Sequence, residues 1–347
     1  MEQRDVAIKT AFSNKAQSAY GTKLPDIDID QAHPLLGSEN IESTFDKIND
    51  ADQFGKGHEY PTKQENLTAD VRVSRSADAS SALLGWVMAF ACGAITTTQP
   101  DDIGSPNTYE HEIKPMDIDD SAIGKQLPVT SIVEELASFK KMLYRDMLVS
   151  EFSITGEIKK QLQLSFSMIG SGHKETSTLT MPALTAVSFL KMPGVTITVG
   201  GTSYSAKLLN FNFSHKNELA EDLGYHPGSG YLTPLDPSTP QIRGKLKVSK
   251  RTTSLSFEIL AEDGNLRSDM EANTEKAIVI SAEGATIENS YKHNLELSFP
   301  KTFIKATPIG REGNFLKYQV ETEIAWDSTS EAPFVATVRN NVASYLT

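Results

Sequence analysis

Asp26, Asp28 and Asp30 stand at alternate positions, the opening spacing of an EF-hand calcium loop, whose carboxylates converge on one hard cation. The sixth position of such a loop needs a glycine for its tight turn and here is Gln31. The twelfth needs a bidentate glutamate and here is Gly37, so the calcium reading fails. Asp117, Asp119 and Asp120 read as a solvated acidic turn. The seven histidines, His33, His58, His111, His173, His215, His226 and His293, show no close pair at metal-ligand spacing and no His-Glu-x-x-His helix. The pairs Glu134-Glu135 and Glu221-Asp222 are of the type that flanks a sugar bond in glycosidases, but the sequence does not bring them together, and a surface charge role is expected. Gly55-Lys56-Gly57-His58 lacks the glycine spacing of a phosphate loop, and Gly170-Ser171-Gly172 and Gly228-Ser229-Gly230 lack the frame of a nucleophile elbow. Cys92, the only cysteine, lies in the apolar run Ala82 to Ile95 and is expected to be a buried, inert thiol. No catalytic residue, cofactor-binding residue or metal site is expected.

Those residues need elements to position them, and the dominant pattern from Asp70 onward has period two. Leu162, Leu164, Phe166 and Met168 alternate with Gln163, Ser165 and Ser167, as in a half-buried strand. The same alternation runs through Val195 to Val199, Leu209 to Phe213, Leu246 to Val248, Leu255 to Ile259, Leu295 to Phe299 and Tyr318 to Trp326. Pro193-Gly194, Gly200-Gly201, Asp263-Gly264, Glu283-Gly284 and Gly313-Asn314 mark turns between them. Antiparallel sheet with one face on a core follows. Helices are expected after Ser76 to Ser81, over Ala82 to Ala91, and from Asn265 to Lys276 with Ser268 as cap. A further helical stretch is expected to open the segment Thr130 to Lys141. Pro115 and Pro128 bracket a loop. Trp86 and Trp326 both read as core.

The chain has 347 residues, 39% apolar and 22% charged, room for roughly two domains of an ordinary folded protein. The apolar run is too short to cross a bilayer, and the N-terminus lacks a signal-peptide layout, so folding in the cytoplasm is expected. The net charge of −12, with scattered basic residues, argues against a grip on nucleic acid, which needs cations on phosphates. An acidic surface can instead repel DNA and keep it mobile.

Two stretches echo each other. Val73-Ser74-Arg75, an apolar run and Tyr109-Glu110-His111 are followed later by Val248-Ser249-Lys250, an apolar run and Tyr291-Lys292-His293. Leu148 to Ile154 and Leu208 to Ser214 each lead to a Gly-Ser-Gly. The pattern favours a β-rich unit used twice: an N-terminal arm with loops over 1–60, a first unit over 61–180 and a second over 181–347. A structural hydrogen bond or interface contact is expected of His111 and His293.

Phe12 to Lys15, Ala19-Tyr20-Gly21-Thr22, Gly55 to Thr62, Ser80 to Trp86 with Phe90 to Gly93, Tyr109 to His111 and Leu127 to Glu134, in that order, resemble the tail tube proteins (major tail proteins) of long-tailed bacteriophages, or siphoviruses. The resemblance runs to about Asn340. It implies a mainly β fold, a β-sandwich or barrel with short flanking helices, in two tandem copies. It implies a structural virion protein of the phage tail, assembled in the host cytoplasm, that forms stacked rings and a hollow tube through which DNA passes on ejection. The partners it implies are further copies of the chain in rings of three or six, the tape-measure protein in the lumen, and tail terminator and baseplate or distal tail proteins, with DNA in transit unbound and no membrane. The repeat favours three. The arm and the loop Gln99 to Leu127 are the expected ring-to-ring contacts, and removal of Met1 to Lys23 is expected to leave the core folded. Two alternatives stay open: a capsid-decoration or baseplate protein, and a carbohydrate-binding or carbohydrate-active β-sandwich.

Overall fold

The computed structural model describes residues 8–36, 41–49, 54–55, 58–59, 64–116, 127–136, 140–184, 187–219, 248–261 and 264–347. In chain order its strands and α-helices are β1 (Ile8–Phe12), β2 (Gln31–Ala32), β3 (Glu42–Asn49), β4 (Phe54–Gly55), β5 (His58–Glu59), β6 (Gln64–Asp78), α1 (Ser81–Cys92), β7 (Gly93–Thr98), β8 (Tyr109–Pro115), β9 (Thr130–Leu136), β10 (Lys140–Glu157), β11 (Gln163–Gly170), β12 (Lys174–Thr176), β13 (Val195–Val199), β14 (Thr202–Ser203), β15 (Leu208–Leu219), β16 (Val248–Leu260), α2 (Asn265–Glu271), β17 (Glu275–Glu288), β18 (Tyr291–Ala306), β19 (Ile309–Glu312), β20 (Phe315–Ile324) and β21 (Val335–Asn340).

Antiparallel pairing builds one sheet of eight strands in the order β3-β6-β11-β10-β15-β16-β20-β19. A second sheet runs β7-β8-β21-β18-β17-β13-β14. The C-terminal part of β18 pairs with β20, so the two sheets share a corner, and among the described residues no pair closes them into a barrel. A small side sheet, β2-β1-β9-β10-β12, uses the N-terminal part of β10. The strand alternation expected from the sequence holds: Phe166, Phe213, Leu255, Phe257, Leu297 and Val320 are buried, and their sequence neighbours are not. Leu209 leaves the pattern because the register shifts between Leu208 and Asn210.

Between the two sheets lies α1, with all twelve residues buried, touching β10 on one side and β7, β8, β18 and β21 on the other. Ser80 caps it by accepting from the Leu83 N–H at 3.3 Å, and Gly93 ends it at φ +84, the left-handed conformation that costs glycine little. Trp86 stacks near Phe12, Phe90 and Phe166, and its Nε1 donates to the Ser13 carbonyl at 2.6 Å. Phe213 meets Phe152, Phe299 and Phe334 edge-on, which ties the sheets together. From the C-terminal segment, Tyr345 donates to the Ala82 carbonyl at 2.8 Å, and Asn340 Nδ2 donates to the Ser81 carbonyl at 3.1 Å. The flanking position expected of the helices holds for α2, where only Leu266 is buried.

Several local expectations are corrected. Thr130 to Leu136 is a strand rather than the start of a helix, because it is paired on both edges, by β1 and β10. That pairing also buries Glu134 and Glu135, expected at the surface. Glu134, 1% exposed, accepts from Arg75 Nη2 at 2.8 Å and from the Ile41 N–H at 3.1 Å; burial pushes its carboxyl up, and these donors oppose the shift. Ser268 does not cap α2: Gly264 precedes the helix, without a side-chain cap, and the Ser268 N–H already bonds the Gly264 carbonyl. Glu283-Gly284 is a bulge inside β17 rather than a turn. Trp326 is 57% exposed, because the buried alternation of β20 ends before it. Cys92 is buried, and burial pushes its thiol up to about 12.

Residues 8–23 hold more structure than an arm. β1 pairs with β9, Phe12 is 1% exposed, and Gln17 Nε2 and the Gly21 N–H donate to the Asp146 carboxylate at 2.8 and 2.7 Å. Asp146, at φ +60, also accepts from Ser171 of the first Gly-Ser-Gly at 2.7 Å, and it marks the corner where β10 passes from the side sheet into the eight-strand sheet. Part of the loop after Gln99 is likewise tied down within the chain. Asn107 donates to Glu288, and Asn289 donates to the Gly104 carbonyl, across the tip of the β17–β18 hairpin. Asp117 to Asp120, Glu221-Asp222, His226 and Gly228 to Gly230 lie outside the described residues.

The two halves of the eight-strand sheet repeat one topology. In sheet order β3-β6-β11-β10 and β15-β16-β20-β19, each set presents its first, second, fourth and third strands. In each, a helix and a hairpin follow the second strand: α1 with β7–β8, and α2 with β17–β18. Tyr109 and Tyr291 open corresponding strands, whereas Val73 lies within β6 and Val248 opens β16. The second echo links β10 with β15, which hold different places in their sets.

Three outcomes are expected. Removal of residues 1–23 strips Phe12 from Trp86 and leaves Asp146 without two donors, so chemical denaturation of the truncated chain is expected to show a loss of more than about 3 kcal/mol. Gly85→Ala is expected to lower the thermal midpoint despite the better helix propensity of alanine, because the new Cβ would stand 2.7 Å from the Tyr345 hydroxyl; the cost is about 1–3 kcal/mol. Burial lowers the imidazole of His33 from 6.5 to about 4, and burial with the nearby Arg251 charge lowers that of His215 to about 3. The unfolded chain therefore binds more protons below pH 6.5, so stability is complete above that pH and falls as the pH drops towards 4. Denaturation midpoints across pH 7 to 4 check this, with a His33→Gln and His215→Gln double variant expected to show a shallower decline.

Candidate functional site: the polar face of the eight-strand sheet

The side of the eight-strand sheet turned away from α1 is built in rows. One row crosses five strands in register, Ser76, Ser165, Ser153, Ser214 and Ser254. Beside it runs a row of Ser74, Ser167, Glu151, Lys216 and Thr252, and on its other side Asp78, Gln163, Thr155, Asn212, Ser256 and Glu321. Alternation puts these side chains outside because their sequence neighbours, among them Phe152, Phe166, Phe213 and Leu255, fill the core. All three rows lack aromatic residues.

The rows are cross-linked by hydrogen bonds. Ser74 and Ser167 hydroxyls stand 3.0 Å apart, those of Ser214 and Ser254 2.7 Å apart, and Ser167 donates to Glu151 at 3.1 Å. Lys216 Nζ lies 3.9 Å from Glu151, and Gln163 donates to Asp78. Further along the face, Glu258 accepts from Lys317 at 2.9 Å, Asn210 at 2.7 Å and Gln319 at 3.0 Å; partial burial alone would raise its carboxyl, but these donors hold it below the ordinary value. The surface is a trough of about 570 Å³ over the serine row, continuing into one of about 440 Å³ between Arg72 and Glu218. Lys216 and Lys317 each face a carboxylate, so neither is a bare anion site. Chemically the face offers hydroxyls, amides and compensated charges, a strongly hydrated surface without a nucleophile–base pair.

The residues considered for chemistry from the sequence do not gather here. Asp26 and Asp28 lie in a short 3₁₀ turn, with Asp28 accepting from Lys15 at 2.7 Å. His111 is buried, its Nδ1 2.9 Å from Thr97 Oγ1 and its Nε2 3.0 Å from the Val342 carbonyl; His293 Nδ1 is 2.7 Å from Ser81 Oγ. Both make the structural hydrogen bonds expected of them. Among the described residues no group of three His, Cys, Asp or Glu side chains is placed to hold a metal, and no helix is long and apolar enough to cross a membrane. A strand-by-strand reading of the sequence does not bring the serine rows together, although a signal exists: the outward positions of β6, β10, β11, β15 and β16 favour Ser, Thr, Asn and Gln over the long charged residues usual on exposed strands.

Compared with known proteins, residues 9–314 match the family model described as phage tail tube protein. No curated protein matches the chain. The match begins in β1 and ends in the turn between β19 and β20, so it spans both four-strand sets except β20. A match over nearly the whole length, on a mainly β chain with a two-faced sheet, identifies a structural component of the virion tail: this chain belongs to the phage tail tube protein family.

Proposed function

We propose that this chain polymerises into stacked rings that form the hollow tube of a phage tail, with the polar face of the eight-strand sheet turned to the bore. Each ring holds three copies, and the two four-strand sets of each copy stand where two subunits of a sixfold ring would stand, as two tandem units. The unit boundaries at 61–180 and 181–347 then shift, since β3 belongs with the first set and β15 opens the second. Before ejection the tape-measure protein fills the bore, terminator and baseplate proteins close the ends, and assembly takes place in the host cytoplasm.

The serine rows carry this reading. Duplex DNA is held chiefly by cations that neutralise phosphates. A face of hydroxyls, with Lys216 beside Glu151 and Lys317 beside Glu258, offers water-mediated contact and little net attraction. Asp78 and Glu321 add negative charge to the same face. DNA therefore passes without sticking. The absence of aromatic residues from these rows also removes the stacking platform a glycan-binding face would need.

Negative-stain microscopy of the concentrated protein tests assembly, with rings or filaments of uniform bore expected. Ser153→Lys, Ser165→Lys and Ser214→Lys together are expected to leave the monomer's thermal midpoint within a few degrees and tubes intact, while the tubes retain duplex DNA at low salt and release it at high salt. Wild-type tubes that hold DNA as tightly as the lysine variant would count against a non-binding bore.

A further inference from the structure

We propose that the segment 341–347 is a proton-sensitive clasp on α1, closed while the buried imidazole of His111 is neutral and released when that ring takes up a proton. The segment forms no strand or helix and crosses the N-terminal end of α1. Tyr345 fills the crevice above Gly85 and donates to the Ala82 carbonyl at 2.8 Å. The Leu346 N–H donates to the Asn14 carbonyl at 2.7 Å, and the Val342 N–H donates to Asn340 Oδ1 at 2.8 Å. His111 lies under the segment, its ring 4.8 Å from that of Tyr345 and edge-on to it. The clasp is built within one copy and does not rest on the ring reading.

The hydrogen bonds fix which nitrogen carries the hydrogen. His111 Nε2 faces two acceptors, the Val342 carbonyl at 3.0 Å and Asn340 Oδ1 at 3.2 Å, so it is the donor, and Nδ1 accepts from the Thr97 hydroxyl at 2.9 Å. The neutral ring is therefore fully satisfied. A second proton must go to Nδ1, against a hydroxyl that has to turn round to accept it, and the charge it brings meets no carboxylate on its side of the sheet. Glu110 is its neighbour in β8 but points to the opposite face, where it accepts from Arg339 Nε at 3.0 Å. The other groups packed round the ring are Thr97 in β7, Asn340 in β21, the Tyr345 phenol, which burial pushes up, and α1, which has no charged side chain.

Two features oppose the charge in the closed state. Burial lowers the ring's pKa from 6.5, against weaker contributions of opposite sign from Asn340, Val342 and Glu110. The first turn of α1, the positive end of its dipole, is also close. Asn340, which accepts from His111, donates through Nδ2 to the Ser81 carbonyl at 3.1 Å, and His293 already places a second imidazole 2.7 Å from Ser81 Oγ. With the clasp open, water reaches the His111 ring and its ordinary pKa returns. The open form then binds more protons below 6.5, so the clasp is fully closed above that pH and loosens as the pH falls.

Amide hydrogen exchange of the full-length chain between pH 7 and 5 tests the clasp, with protection of the Val342 and Leu346 N–H groups set against that of Leu84, whose bond to the Ser80 carbonyl belongs to α1. Protection of the two clasp amides is expected to fall by up to about tenfold per pH unit below 6.5, the limit for one proton, while Leu84 stays protected. His111→Gln, which keeps a side-chain N–H donor for Val342 and cannot titrate, is expected to remove the pH dependence, and His293→Gln to keep it. Fluorotyrosine at Tyr345 reports the same opening with His111 unaltered: its fluorine resonance is expected to move to the solvent-exposed position over the same pH range. Protection of Val342 and Leu346 that is independent of pH, that falls in step with Leu84, that keeps its pH dependence in His111→Gln or that loses it in His293→Gln overturns the clasp, as does a fluorine resonance that stays at its buried position.

Discussion

Because successive side chains of a strand point to opposite faces, each strand of the eight-strand sheet sends its apolar residues to one side, and that side must be sealed before the rest of the chain can settle. The seal is α1 with the second sheet behind it. A helix buried over its whole surface cannot be held by one apolar stripe, so its fit depends on neighbours from every part of the chain: Phe12 from β1, Phe166 from β11, and Asn340 and Tyr345 from the C-terminal segment. Gly85 leaves the crevice that Tyr345 fills. Phe12 and Tyr345, which lie near the two termini in sequence, thus become parts of the core.

Two corners make this enclosure possible. β10 turns at Asp146, whose left-handed backbone and buried carboxylate are stabilised by donors from Gln17, Gly21 and Ser171. β18 pairs with β21 along its N-terminal part and with β20 near its end, so one strand belongs to both sheets. The buried Arg75–Glu134 pair bridges the eight-strand sheet and the side sheet. Loss of either partner would leave an uncompensated charge in the interior, at a cost of about 3–5 kcal/mol. The polar interior groups thus sit where sheets meet, and the apolar ones fill the spaces between.

Strand positions were legible in the sequence wherever alternation was clean, as in β11, β13, β16 and the N-terminal part of β18, and so was the burial of Trp86 and Cys92. The failures share a cause. Thr130 to Leu136 carries adjacent glutamates that look exposed, and only the strands on both sides and Arg75 across the interior make it a buried strand. Trp326 follows an alternating run but lies beyond the end of the cover. Ser268 has the chemistry of a cap, yet the helix already begins at Asn265, after Gly264.

The polar face shows where local information stops. Composition and period two determined by themselves that the protein is built of half-buried antiparallel strands and that its outward positions are polar. Only the tertiary structure decided that Ser76, Ser165, Ser153, Ser214 and Ser254 share one row and that the two strand sets have the same order. Facing is a property of one strand and follows from its own backbone geometry. Register and edge position depend on backbone hydrogen bonds between segments far apart in the chain, and nothing in either segment alone specifies its partner.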